Sequence, residues 1–460
     1  MNFGVKEICE AIWKLEKDYE LLSKEIQGIK IWQIIRGNIY MDISLKIKVF
    51  SKPHTRQRSL FERIKLIPNF FSSCIYRNPL KEKEKKDIWI FDHPRKKNVD
   101  GKYIDIYTQD LIESLNQDNI LILEKPYMGK HFTEDENNRM HTEYIQVLTF
   151  LKSFFISIKF TNEEILLIRT LETELNKIFG INICLEKKIR SAIRKYKSRF
   201  SVYNEIFKKQ RPRKIFLVVS YLHSAIIAAA KHNKIPVVEI QHGIISPYHL
   251  GYNFPDFNNE LDYFPDYIYS FGEYWSKHLN LPLNREKIIL YGFPHFNKLK
   301  KKYNHIQKKS NQIIFISQGT IGQEMTKLAY NLALKAEDYN IIYKLHPGEY
   351  DRWKKDYIAL QQAERLKNFK IVDTDEINLY QYLSESQYQV GVYSTALFEG
   401  IAFKCYTILL DLPGLDHMEP IMKDGLAIRI TSVEQLITVL KSDYFKNAID
   451  PNYFFYGIDP

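Results

Sequence analysis

The chain has 460 residues, 45% of them apolar and 14% aromatic, which fills the cores of roughly two or three domains and excludes a disordered or fibrous chain. Lysine and arginine number 66 against 55 aspartates and glutamates, a formal charge of +11, so the surface favours phosphates, acidic lipid head groups or nucleic acid. The cysteines Cys9, Cys74, Cys184 and Cys405 form no CxxC pair, which points to neither a zinc site nor a disulfide framework and agrees with a reducing compartment.

The opening residues alternate charges with apolar positions and lack the uninterrupted apolar core of a signal peptide, so the chain is expected in the cytoplasm. Residues 1–86 read as a helical, basic N-terminal region, with helical apolar spacing at Trp13-Lys14-Leu15-Glu16 and Ile31-Trp32-Gln33-Ile34-Ile35. After the charged run 81–86 the pattern changes to short β-rich runs at 88–91, 120–123, 215–219, 236–240, 267–269 and 288–290, with helical stretches such as 107–115 and 223–232 between them. The longest apolar stretch, 215–230, is broken by Ser220, Tyr221, His223 and Ser224 and is too short and too polar for a membrane span. A lysine-rich segment, 298–312, precedes a second series of strands at 313–316, 341–344, 370–372, 389–392 and 407–410, with helices at 325–336, 379–385 and 433–440. The alternation predicts an α/β protein with two tandem Rossmann-like, doubly wound domains, 87–297 and 298–445, followed by a tail at 446–460. In such sheets ligands bind beyond the carboxyl ends of the strands, so the cleft between the domains is where chemistry is sought.

Four loops sit at those predicted strand ends. Gln241-His242-Gly243 delivers an imidazole beside a glycine that permits a sharp turn and close approach of a ligand; the imidazole either acts or plugs the turn. The loop from Ser317 through Gln318, Gly319 and Thr320 to Gly322 offers hydroxyls and backbone N–H groups at a helix start, either a diphosphate cradle or an ordinary turn. Lys344-Leu345-His346-Pro347 holds an imidazole on extended backbone before proline, as a phosphate ligand or a cap. Ser394-Thr395 is followed by Glu399 one helical turn on, which suits hydroxyls on a phosphate and a carboxylate on a ribose. A capping box is the other reading, though its spacing is three residues rather than four.

Taken together and in this order, Gln241-His242-Gly243, His346-Pro347 and Ser394-Thr395 with Glu399 resemble bacterial glycosyltransferases of the GT-B fold over about residues 210–430. More narrowly, the set resembles enzymes of capsule, lipopolysaccharide and teichoic-acid assembly: Kdo-transferase-like and sialyltransferase-like families and the CDP-glycerol glycerophosphotransferases. The acidic-acidic-Gly element of polysialyltransferases is not seen, and residues 1–86 match no pattern. The resemblance implies an N-terminal acceptor domain and a C-terminal nucleotide-donor domain. It implies transfer of a sugar from a nucleotide-activated donor to a hydroxyl of a cell-surface glycan or lipid-linked acceptor, without metal or other cofactor. His242 would be the general base, with Gln241 and Gly243 on the acceptor side. His346 would help the leaving group depart, and Ser317, Gly319, Thr320, Lys344, Pro347, Ser394, Thr395 and Glu399 would hold the donor. The alternatives are a polyol-phosphate transferase and a non-hydrolysing nucleotide-sugar 2-epimerase, whose extra acid/base carboxylates are not located in this sequence.

Asp373-Thr374-Asp375 has DxD spelling, as a metal pair or as a strand end. Asp92-His93-Pro94 lines the acceptor side or makes a turn, and the aromatic segment 254–274 faces the cleft or fills the core. Two basic stretches with interleaved apolar residues, 46–65 and 185–214, suit an anionic membrane surface or simply a solvated face. The expected site is therefore peripheral, on the inner face of the cytoplasmic membrane. A nucleic-acid partner is not expected, because no RRM, KH, zinc or helix-turn-helix pattern accompanies the charge.

Overall fold

The computed structural model describes residues 3–51, 64–133, 137–257, 260–442 and 450–458. In the first domain the strands are β1 (Ile88–Phe91), β2 (Lys97–Val99), β3 (Lys102–Ile104), β4 (Ile120–Glu124), β5 (Arg139–His141), β6 (Lys214–Val218), β7 (Val237–Ile240), β8 (Tyr267–Ser270) and β9 (Ile288–Leu290). All but β2 and β3 form one parallel sheet in the order β5-β4-β1-β6-β7-β8-β9. Its central strands are runs of Ile, Leu, Val and Phe because helices cover both faces: β4 and β7 are buried throughout.

The second domain repeats the plan with β10 (Lys309–Ile316), β11 (Asn340–Lys344), β12 (Phe369–Val372), β13 (Ser386–Gly391), β14 (Tyr406–Leu410) and β15 (Ala427–Ile430), ordered β12-β11-β10-β13-β14-β15 and parallel throughout. In both sheets the chain starts in the middle, winds outward, and returns to build the other half. Each therefore has a topological switch point, β1/β6 and β10/β13, with a crevice at its carboxyl end. Two tandem doubly wound domains are the GT-B type of architecture.

The lysine-rich segment 298–312 is not a free linker. It contains the end of helix Pro294–Tyr303 and the exposed first half of β10, whose apolar half alone enters the core. The β2-β3 hairpin turns through Asp100 and Gly101, both in the left-handed region at φ 49° and 87°, an Asp-Gly signal of a two-residue turn. Helices Val5–Asp18 and Ile31–Lys46 dock on the first domain through a buried Glu16–Arg36 pair at 2.7 Å, Arg36 also donating to the carbonyls of Leu250 and Asn253. At the other end of the chain Phe454 and Phe455 are fully buried among Phe271, Trp275, Phe296 and Phe398, with Trp275 donating to the Phe454 carbonyl at 2.7 Å. A Cβ on Gly272 would lie 2.6 Å from that carbonyl, so only glycine permits the contact. The C-terminal segment thus returns to the first domain; 446–449 and 459–460 lie outside the described residues. Among the described residues no helix is long and apolar enough to cross a membrane.

Candidate functional site

Three strands of the first domain end at one patch. His242 follows β7, and its ring is walled by His93 after β1 (6.4 Å, near parallel), by the edge of Tyr107 (6.3 Å) and by Tyr221 after β6 (6.3 Å). Its Nδ1 is buried without a hydrogen-bond partner. Burial, aided by His93 and His249, pushes its pKa down to about 3, because the charged imidazolium loses hydration and meets no counter-charge. The ring is therefore neutral throughout the physiological pH range. Gln241, expected on the acceptor side, turns the other way: it is buried, its Oε1 accepts from the Phe271 N–H at 2.7 Å, and its Nε2 donates to the Gly243 carbonyl at 2.9 Å. It holds the His242-Gly243 turn from behind.

On the second domain, the loops after β10 and β13 are tied across their switch point. Tyr393 N–H donates to Gln318 Oε1 at 3.1 Å, and Thr320 Oγ1 lies 3.2 Å from the Tyr393 hydroxyl. Ser317 faces inward, donating to Glu349 Oε1 at 3.1 Å, so the hydroxyl expected on the donor is spent on the framework. Glu349 also accepts from the Tyr357 hydroxyl at 2.6 Å and from the His346 N–H at 2.8 Å. This buried carboxylate joins both loops, and the His346-to-Glu349 spacing of a capping box was the signal for it. His346 Nδ1 accepts from the Gly348 N–H at 3.1 Å, which leaves Nε2–H as the outward donor. Its ring is open to the cleft, yet the surrounding protein and then Arg95 and Arg352 push its pKa down to about 4.

Lys344 was expected on the donor and is instead buried behind His346. Its Nζ donates to the Thr374 carbonyl at 2.7 Å, to Asp375 Oδ1 at 3.1 Å and to the Tyr350 hydroxyl. Asp373 accepts from Trp353 Nε1 at 2.9 Å. The DxD carboxylates are thus engaged by protein donors on different partners. Ser394 caps helix Thr395–Ala402, accepting from the Ala396 N–H at 3.3 Å. That helix lies so close on β13 that a Cβ on Gly400 would meet Gln389 Oε1 at 1.9 Å. Glu399, 6% exposed, accepts from the Tyr380 hydroxyl at 3.3 Å; burial raises its pKa to about 7 against the pull of Lys97.

The two faces meet. A Cβ on Gly243 would lie 3.5 Å from Thr395 Oγ1, so the turn beside His242 faces the start of the Glu399 helix. Arg95, in the loop after β1, and Lys97, at the start of β2, act electrostatically from the first domain on His346 and Glu399 of the second. Arg352, whose Nη2 donates to the Gly319 carbonyl at 3.3 Å, adds a third cation. Arg95, Lys97, Tyr107, Arg352 and Glu349 were not foreseen. The signal for the first two was the basic run Arg95-Lys96-Lys97 directly after a strand end.

His131, His141 and Glu143 bring donor atoms within 4.8 Å of one another. Their rings stack face to face at 3.5 Å and 2°, which puts any shared ion outside both ring planes, where the nitrogen lone pairs do not point. Burial disfavours a charge on His131, but hydrogen bonds to Glu124 at 2.9 Å and Glu143 at 2.7 Å outweigh it and raise its pKa to about 9. The cluster is a clamped imidazolium.

No protein-family model matches the chain, and no curated protein matches it. Among solved structures it is similar to the UDP-GlcNAc 2-epimerase from Methanocaldococcus jannaschii, at 13% identity over 80% of this chain and 95% of that chain with a TM-score of 0.47. It is similar also to the UDP-GlcNAc 2-epimerase from Neisseria meningitidis bound to UDP-GlcNAc (15%, 80% and 96%, TM-score 0.45). A third is the glycotransferase of kitacinnamycin (9%, 77% and 89%, TM-score 0.42). Likeness of this degree adds nothing to the fold that the two sheet orders define.

Proposed function

We propose that the chain is a glycosyltransferase that moves a sugar from a nucleotide-activated donor to an acceptor hydroxyl in the cleft between its domains. The observation that carries this reading is the apposition of His242-Gly243 with Thr395 across two facing switch points, inside a rim of Arg95, Lys97 and Arg352. The rim and the N-terminus of the Thr395–Ala402 helix suit a diphosphate, and Glu399 suits the two ribose hydroxyls. His242 takes the proton of the acceptor hydroxyl as its oxygen attacks the anomeric carbon, and the nucleotide leaves with the glycosidic electron pair. His346 Nε2–H and the arginines stabilise the charge on that leaving phosphate, so the reading requires no metal. The donor's negative phosphates also supply the counter-charge that the protein itself does not give His242.

The test is a panel of UDP, CDP, CMP and GDP with their sugar conjugates. One nucleotide at 100 times its dissociation constant stabilises the fold by about 2.7 kcal/mol, read as a rise in Tm. Absence of stabilisation by every nucleotide at millimolar concentration overturns the reading; conversion of a donor sugar to its epimer without acceptor assigns an epimerase instead.

Attachment to an anionic membrane surface belongs to the same proposal. Helix Ile67–Tyr76 touches helix Glu143–Phe154, and together they leave Phe71, Tyr76, Phe150, Phe154 and Phe155 in solvent, the last two 68% and 89% exposed. Helix Leu185–Gln210 touches the second of them. On its cationic face Lys188 is paired with Asp42 and Arg190 with Glu186, while Lys187, Arg194 and Lys195 are exposed. Much of the other basic stretch, residues 52–63, lies outside the described residues. Since a buried Phe side chain is worth about 1.5–3 kcal/mol, a Phe154→Ser, Phe155→Ser variant is expected to lose at least about tenfold in partitioning to phosphatidylserine vesicles. Neutralising Lys187, Arg194 and Lys195 removes the lipid-charge dependence. Equal sedimentation of wild type and both variants removes the membrane claim.

A further inference from the structure

A cavity of about 400 Å³ lies between helix Ile31–Lys46 and the loops of the first domain, within the size range that encloses a small organic molecule. Ile34, Met41 and Phe50 of the N-terminal region form one wall, and Leu222, Phe254 and Phe264 form much of the other. Tyr221 belongs to the wall and its ring stands 6.3 Å from that of His242. Tyr393 and His417 close the cavity from the second domain, and the Tyr393 hydroxyl reaches Thr320 of the loop after β10. The cavity therefore abuts both halves of the cleft.

Its chemistry is selective. Arg36 is the one lysine, arginine, aspartate or glutamate among the lining residues. It is committed to Glu16 through two 2.7 Å bonds and stacked on Phe254 at 4.3 Å. Burial keeps His249 and His417 neutral, with pKa values near 4 and 3. A charged group entering here would lose its hydration without gaining a partner. Three residues of the wall carry a buried side-chain oxygen: Gln33 Oε1, which has no hydrogen-bond partner, and the hydroxyls of Tyr40 and Ser220, whose neighbours are Ser44 and Glu239. Native interiors rarely leave such groups unsatisfied, so a ligand oxygen that reaches them gains hydrogen bonds while its hydrocarbon part covers the apolar wall.

We propose that this cavity binds an uncharged, hydrocarbon-rich part of the acceptor that bears hydroxyl or ether oxygens, and that the N-terminal helices serve to build its wall. The inference rests on the transferase reading for the word acceptor; the binding site itself rests on the geometry. The occupant lies alongside Tyr221, so its hydroxyl is presented to His242 while its apolar body stays out of water.

Gly37 supplies the test. It lines the cavity on the exposed side of the helix, and a Cβ there meets nothing within 4 Å, so Gly37→Phe adds bulk at the cavity's edge without displacing the helix. Fluorescence titration of the full chain with the uncharged probe N-phenyl-1-naphthylamine is carried out in the Phe154→Ser, Phe155→Ser background, which removes the two most exposed phenylalanines among the described residues. The expected result is saturable one-to-one binding, weakened at least tenfold by Gly37→Phe, with nucleotide stabilisation unchanged. Met41→Trp, at the partly exposed edge of the same cavity, carries the test if Gly37→Phe does not fold. No saturable binding, or binding unaffected by the folded variant, overturns the inference. Probe binding lost in Gly37→Phe with no nucleotide response would sink the transferase reading and leave the cavity assignment standing; a nucleotide response without probe binding does the reverse.

Discussion

Replacing His242 by alanine lowers the turnover of sugar transfer by about a hundredfold or more and leaves nucleotide affinity within about a factor of two. The separation follows from position. His242 stands on the first domain among His93, Tyr107 and Tyr221, whereas the loops assigned to the nucleotide belong to the second. An ordinary histidine base would lose activity as pH falls through about 6.5; a base held near 3 in the free protein adds no acidic limb of its own to kcat/KM between pH 8 and 5, so the profile in the Glu399→Gln background is expected to be flat there. His242→Gln, which keeps much of the shape and removes the basicity, should be as inactive as alanine. Full activity in either variant, with the fold intact by circular dichroism, would remove the assignment.

Nucleotide affinity is expected to fall as pH drops below about 7, approaching tenfold per pH unit, and this dependence is expected to vanish in Glu399→Gln. Burial raises the Glu399 pKa to about 7. Ribose hydroxyls donate to the ionised carboxylate, so binding favours loss of its proton. Above pH 7 the proton is already gone and affinity is flat. Below pH 7 each bound nucleotide must expel one proton, which weakens binding as the proton concentration rises. Glu399→Gln keeps one acceptor oxygen but leaves a mismatched donor, costing about 1–3 kcal/mol at pH 8. Isothermal titration in two buffers of different ionisation enthalpy, at pH 6 and pH 8, counts the proton directly. A wild-type affinity independent of pH, or a variant with the wild-type profile, would exclude Glu399 from the nucleotide site.

Much of this was legible along the chain. Runs such as Ile120-Leu121-Ile122-Leu123 and Ile313-Ile314-Phe315-Ile316 read as strands because both faces of a parallel sheet are covered, and each lies where the spacing places it. The shorter strands escaped notice for the same reason: β15 exposes Arg429, β5 is three residues long, and β2-β3 is largely solvated. Their apolar pattern is too brief to stand out. The helix starts at Thr395 and the turn at His242 were visible from local chemistry alone, since hydroxyls, glycine and proline act on their own backbone.

Which residues reach the carboxyl ends of the strands was readable along the chain, because alternating strand and helix signals make the sheets parallel and every strand then ends on the same edge; the strand order, and with it each switch point, came from the fold. Tertiary structure decided which of them face the cleft. Gln241, Ser317 and Lys344 are polar residues at the expected positions, yet Phe271, Glu349 and Asp375 occupy their side chains. Arg95 and Lys97 influence His346 and Glu399 only because the fold brings the loops of one domain opposite those of the other. Whether a buried polar group is spent on its own framework or left for a ligand depends on partners tens to hundreds of residues away, and so do the desolvation and facing charges that move His242 and Glu399 in opposite directions.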